Sequence, residues 1–151
     1  MRTKEIHNFL NKNRDSIYPV FRVVVALLFM QHGAQKLFGL FGGIGGSALD
    51  LTNLFAFNFS SLLVIAGFVE FFGGLLIVLG LFTRTAASLA LITMIGAWFL
   101  AHFSLTGGVE GWVPILNKGE LALFYLVSFL YILFHGAGKW ALDNKLFKDR
   151  H

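Results

Sequence analysis

Residues 63–82, "LVIAGFVEFFGGLLIVLGLF", form twenty consecutive positions with one ionisable side chain, Glu70. About 20 apolar residues are what a helix needs to cross the hydrocarbon layer of a bilayer, where every backbone polar group must be satisfied internally. The pattern recurs along the chain and places helices over about 17–37, 61–82, 85–103 and 119–138. With 56% hydrophobic residues and a mean hydropathy of +0.72, little chain remains for a soluble domain. The expected fold is all-α, an integral membrane four-helix bundle over residues 17–143, with a polar arm before it (1–16) and a basic tail after it (144–151).

Charge orients this bundle. Arg2, Lys4, Lys12 and Arg14 precede the first run, and Lys139, Lys145, Lys148 and Arg150 follow the last, whereas the two opposite loops hold only Lys36 and Lys118. The positive-inside rule then puts both termini in the cytoplasm, and an even number of crossings agrees with this. The net charge of +4 is clustered at the ends, which suits a lipid bilayer as partner and not a nucleic acid. Cysteine is absent, which excludes a thiol relay, an iron–sulfur cluster or a covalently attached haem within this chain. No small-residue cleavage site follows the first run, so it reads as a retained helix.

The loops add less. "FGLFGGIGGSALDLTNLFAFNFSS" has no Gly-Lys-Ser/Thr after its glycines and is not a P-loop; it is expected to be an external loop ending in a short interfacial helix, or a re-entrant lid. "TRT" around Arg84 joins two helices in a tight hairpin, and Trp112 anchors the third connection at the interface. "HGAQK" at 32–36 is echoed by "HGAGK" at 135–139. Glycine and a cation suit helix C-termini, and the alternative is an inverted repeat.

The ionisable residues inside the runs carry the functional argument. A central charge costs about 2.5–3.5 kcal/mol on insertion, while each Leu, Ile, Val or Phe gains about 0.3–0.6 kcal/mol, so the second run tolerates Glu70 without compensation. At 100° per residue Gly67 and Gly74 flank it, which lets a neighbouring helix approach and turns the carboxylate into the bundle. Arg22, Ala26, Phe29, Gly33 and Lys36 share a stripe on the first helix. Arg22 leans toward the cytoplasm and Glu70 outward, which argues against pairing them. His102 extends a stripe through Arg84, Ser88, Leu91, Ile95 and Trp98, and Glu120, Phe124 and Tyr131 share a face of the last helix. Together these outline a polar interior opening externally. Glu70, His32 and His102 are the candidate proton carriers; Arg22, Lys36, Trp98, Asn117, Glu120 and Tyr131 are the candidate ligand contacts; no metal site is assigned. Plainer roles stand beside these: interfacial histidines, snorkelling Lys36 and Lys118, a first-turn acid at Glu120, and a structural clamp for Arg22 and Glu70.

Five segments in order, "FRVVVALLFMQHGAQKLFG", "EFFGGLLIVLGLFTR", His102, "NKGE" and "GAGKWALD", make residues 17–143 resemble the DoxX family of small four-helix bacterial membrane proteins. That resemblance implies a multi-pass protein of a bacterial cytoplasmic (inner) membrane and quinone-linked oxidoreduction, including thiosulfate-to-quinone electron transfer, or a place in membrane assemblies of redox and detoxification enzymes. The leading expectation is therefore a membrane subunit of a quinone-linked oxidoreductase, with protons from Glu70, His32, His102 and Glu120 beside an aromatic slot of Phe29, Phe71, Trp98, Phe124 and Tyr131. The chain holds no electron carrier of its own, so a redox partner subunit is implied. No cofactor is fixed by the sequence; a quinone suits the residues better than a non-covalent haem between His32 and His102. A transporter for a small solute or anion and a non-catalytic scaffold or chaperone are the alternatives. The glycine-rich second run also offers a face for a homo-oligomer.

Overall fold

A computed structural model describes residues 2–147; Lys148 and Arg150, on which part of the charge argument rests, lie outside them. The polar arm and the first apolar run form one helix, α1, Arg2–Phe38, which passes through Pro19. A loop then ends in a short 3₁₀ turn, Leu51–Phe55, before α2, Phe59–Leu79. Three residues join α2 to α3, Thr83–His102. Two short helices, α4 (Gly108–Trp112) and α5 (Pro114–Asn117), lead into α6, Glu120–His135, and a last turn, α7, spans Asp143–Leu146.

Among the described residues, three helical segments are long and apolar enough to cross a membrane: Asp15–Phe38, Phe59–Leu79 and Thr83–His102. The apolar α6 has 16 residues, about 24 Å at 1.5 Å per residue, against a hydrocarbon layer of about 30 Å. Its inner face is nonetheless core: Phe129 and Ile132 are fully buried and lie with Phe29, Ile77 and Met94 in one cluster. The rings of Phe29 and Phe129 meet edge to face at 4.5 Å.

Small residues set the helix spacings, as they do where lipid gives no hydrophobic drive to association. On α1 and α2, a Cβ at Gly33 would lie 2.8 Å from the Gly67 carbonyl oxygen, and one at Gly74 3.1 Å from that of Ala26. On α3 the buried face is Ala86, Ala87, Ala90 and Met94, packed against α6. The expected stripe through Arg84, Ser88 and Ile95 is therefore not the inner one; Arg84 and Ile95 are exposed. Alanines let α3 and α6 approach, and the larger side chains turn to the apolar exterior, where Leu62, Ile92 and Val127 also point.

The C-terminal ends of α2 and α6 are clasped together. Gly136 (φ 84°) stops α6, and the following strip lies against the α2–α3 turn: the Leu142 amide donates to Leu79 O (3.2 Å) and the Asp143 amide to Gly80 O (2.8 Å). The Asp143 carboxylate accepts from the amides of Phe82 (2.7 Å) and Thr83 (2.9 Å), capping the start of α3. This separates the two "HGA" motifs. Gly136 ends a helix, whereas Gly33 lies inside α1 at a helix crossing and the helix runs on to Phe38, so the two copies play different structural roles.

Candidate functional site

Glu70 and His102 lie on the two places where a spanning helix widens. Val69–Gly73 in α2 and Trp98–His102 in α3 are π-helical, a local insertion that is rare and recurs at functional sites. In α3 the Phe103 amide donates to Trp98 O at 2.8 Å, an i→i+5 bond. At 100° per residue, five α-helical residues would leave His102 about 140° away from Ala97; the wider turn brings it closer to the Ala97 face, and both line the same cleft.

That cleft has a volume of about 250 Å³. Glu70, buried at 3% exposure, forms an ion pair with Lys36 from the last turn of α1. His32, one turn earlier, faces Tyr125 of α6 edge to face, with ring centroids 5.9 Å apart. His102 closes the far side, with its Nδ1 3.0 Å from the Asn117 carbonyl oxygen. A carbonyl only accepts, so Nδ1 carries the hydrogen and, in the neutral ring, Nε2 is left as the proton acceptor. Phe29 and Tyr125 supply aromatic wall, and Lys118 lines the cleft as well.

The remaining candidates divide. Asn117 is a positioning residue: its Oδ1 accepts from the Gly119 amide (2.8 Å), its Nδ2 donates to Gly111 O (3.3 Å), and its backbone oxygen receives His102. Trp98 packs over Gly119, where a Cβ would fall 2.9 Å from its Cε3. Glu120 is exposed in the first turn of α6, where a carboxylate suits the helix dipole. Tyr131 is half-exposed and meets Tyr18 and Phe21 at 5.7 Å, at the Arg22 end of the bundle. The face expected to carry Glu120, Phe124 and Tyr131 inward thus points out, and Tyr125, one position along, takes the inner place.

Arg22 does not belong to the cleft. It lies 14 residues before Lys36, about 21 Å along the helix, and is fully buried. Its guanidinium donates to the carbonyls of Ile77, Val78 and Trp140, with Val78 at 3.2 Å and Trp140 at 3.1 Å. A cation on the last carbonyls of α2 meets the negative end of the helix dipole. This is the clamp, and it commits the charge that a transport path through Arg22, Lys36 and Glu70 would need.

Fold and site together define a helical membrane protein with an intramembrane ion pair beside a histidine-lined cleft. The DoxX family pattern matches residues 18–103, and the chain belongs to the DoxX family. A protein of Haemophilus influenzae named "Uncharacterized protein" is 39% identical over 145 residues, covering 93% of this chain and 98% of its own. A membrane protein of Mycobacterium tuberculosis, also named as uncharacterized, is 33% identical over 84% of this chain and 79% of its own. "Putative oxidoreductase CatD" of Bacillus subtilis is 27% identical over 93% of this chain and 95% of its own. No solved structure matches the chain.

Proposed function

We propose that this protein is the membrane subunit of a quinone-linked oxidoreductase in a bacterial inner membrane, with α1, α2, α3 and α6 all crossing, both termini cytoplasmic and the cleft opening externally. Basic residues at both ends of the sequence support that orientation. The short α6 fits through local thinning of the bilayer, a modest cost. The oxidoreductase name of the Bacillus subtilis relative points the same way.

The observation that carries the reading is the cleft, which gathers Glu70, His32 and His102 beside the rings of Phe29 and Tyr125. That donor set fits a planar, apolar ring with polar edges. A bound quinone supplies two carbonyl oxygens that each take a proton as two electrons arrive from a carrier, of the flavin class, on a partner subunit. His102 holds one proton on Nδ1 against Asn117 O and exchanges another at Nε2. His32 and Glu70 are the other proton-exchanging groups on the wall, and Lys36 balances the Glu70 charge. Phe29 and Tyr125, packed against each other with ring centroids 5.3 Å apart, form one aromatic wall against which the quinone ring lies.

Solvent extraction of the purified protein, together with titration by a tailless quinone, tests this. Quinone in the extract and saturable binding weakened at least tenfold by Glu70→Gln or His102→Ala are expected. Folded protein that yields no quinone and shows no saturable binding overturns the reading and favours the scaffold role.

A further inference from the structure

The polar cleft has a neighbour. A second cavity, about 300 Å³, lies between α2 and α3 and is lined by Leu62, Ile65 and Ala66 on one side and Ile92, Gly96 and Leu100 on the other. Among the described residues its only charged lining groups are Lys36 and Glu70, and these two, with Ala97, line the polar cleft as well. The ion pair is thus a wall common to both spaces. The outer lip is exposed, with Leu62 at 48%, Ile92 at 63% and Leu100 at 61%, and it belongs to two spanning helices, so the groove faces hydrocarbon. Small residues keep it open: a Cβ at Gly96 would meet nothing within 4 Å.

We infer that this groove holds the isoprenoid tail of the quinone whose ring lies in the polar cleft, so that the ligand is a long-chain lipid quinone entering sideways from the bilayer between α2 and α3. The inference rests on the quinone reading. Its ground is adjacency: a polar, ring-walled space and an apolar, lipid-facing one meet at Lys36, Glu70 and Ala97, the layout that suits an amphiphile whose compact head and long tail straddle the ion pair. A phospholipid is the poorer occupant, because its head group belongs at the interface while the polar end of this groove is a buried ion pair. Since the tail leaves one apolar medium for another, it gains packing and not hydrophobic transfer. The advantage of the tail is therefore modest, about tenfold in affinity when bilayer partitioning is held equal.

The test compares a tailless quinone with a long-chain isoprenoid quinone on the full chain in nanodiscs of fixed lipid content, for wild type, Gly96→Ala, Gly96→Phe and Ala101→Phe. Thermal melting confirms that each variant is folded, and Ala101 blocks the same groove from an exposed position should Gly96→Phe misfold. Expected is an about tenfold long-chain advantage in wild type and Gly96→Ala, lost in both phenylalanine variants, with tailless binding unchanged. An advantage absent from wild type, or kept in both phenylalanine variants, overturns the groove assignment and leaves the quinone reading standing. Co-purified phospholipid lost on Gly96→Phe with no change in quinone affinity also overturns it and assigns the groove to bilayer lipid. Failure of the folded wild type to bind either quinone removes the quinone reading and this inference with it.

Discussion

Replacing Lys36 by methionine isolates what the ion pair contributes. Methionine keeps most of the side-chain stem, which packs where a Cβ at Gly67 would lie 3.1 Å from Lys36 Cβ, and removes only the charge. Glu70 is then left with a side chain 4% exposed and its paired cation gone. Breaking a buried pair from one side costs about 3–5 kcal/mol, because the remaining charge is uncompensated. The reverse change, Glu70→Gln, is milder. The lysine side chain is 16% exposed and can reach toward the surface, and the amide still accepts a hydrogen bond, so about 1 kcal/mol is expected. The double variant removes both charges and should be more stable than Lys36→Met by about 2 kcal/mol, roughly a thirtyfold shift in the unfolding equilibrium. Unfolding in mixed micelles by titrated denaturing detergent, followed by circular dichroism, measures all four proteins. A loss below about 1 kcal/mol for Lys36→Met, or a double variant equal to the sum of the singles, refutes the reasoning.

Three further outcomes follow from the same geometry. Arg22→Met strips a charged donor from three carbonyls and should destabilise by about 3 kcal/mol or more, with faster amide exchange at Leu142 and Asp143; unchanged exchange there would detach the clasp from Arg22. Asp143→Ala should lower stability by about 1 kcal/mol and speed exchange at Phe82 and Thr83, the amides it caps. In the loop, the Thr52 hydroxyl and then its amide hold the Asp50 carboxyl below its ordinary range. Asp50 therefore favours the folded loop fully above its unfolded pKa, and this is lost as pH falls through the lower folded value. Amide exchange at Thr52 should rise, once corrected for intrinsic rates, only below about pH 4, and Asp50→Asn should abolish that step.

Much of this was legible in the sequence, and the boundary is physical. Long apolar runs mark helices because backbone satisfaction in lipid leaves little choice, and Gly67 and Gly74 mark a close contact because small size is what such contacts need, whereas Gly33, which reads as part of a helix-end motif, is the facing side of that contact. The inward faces of α3 and α6 were not legible. Membrane interior and protein interior are similarly apolar, so hydrophobicity does not say which of Tyr125 and Tyr131 turns inward. The π-helical turns under Glu70 and His102 have no residue signature, yet they bring His102 to the cleft. Nor does sequence reveal that the partners of Arg22 are backbone oxygens, since every residue has one.

The clamp at Arg22 also imposes an order on assembly. Its carbonyl partners on α2 lie 55 and 56 residues downstream, and the one at Trp140 lies 118 residues downstream. At about 5–20 residues per second, α1 is synthesised roughly 6–24 s before Trp140 exists. Through that interval the first helix carries a buried-to-be arginine whose cage is incomplete. A chain truncated after α2 but before the clasp would keep that incomplete cage, with the Ile77 and Val78 carbonyls in place and the Trp140 carbonyl missing.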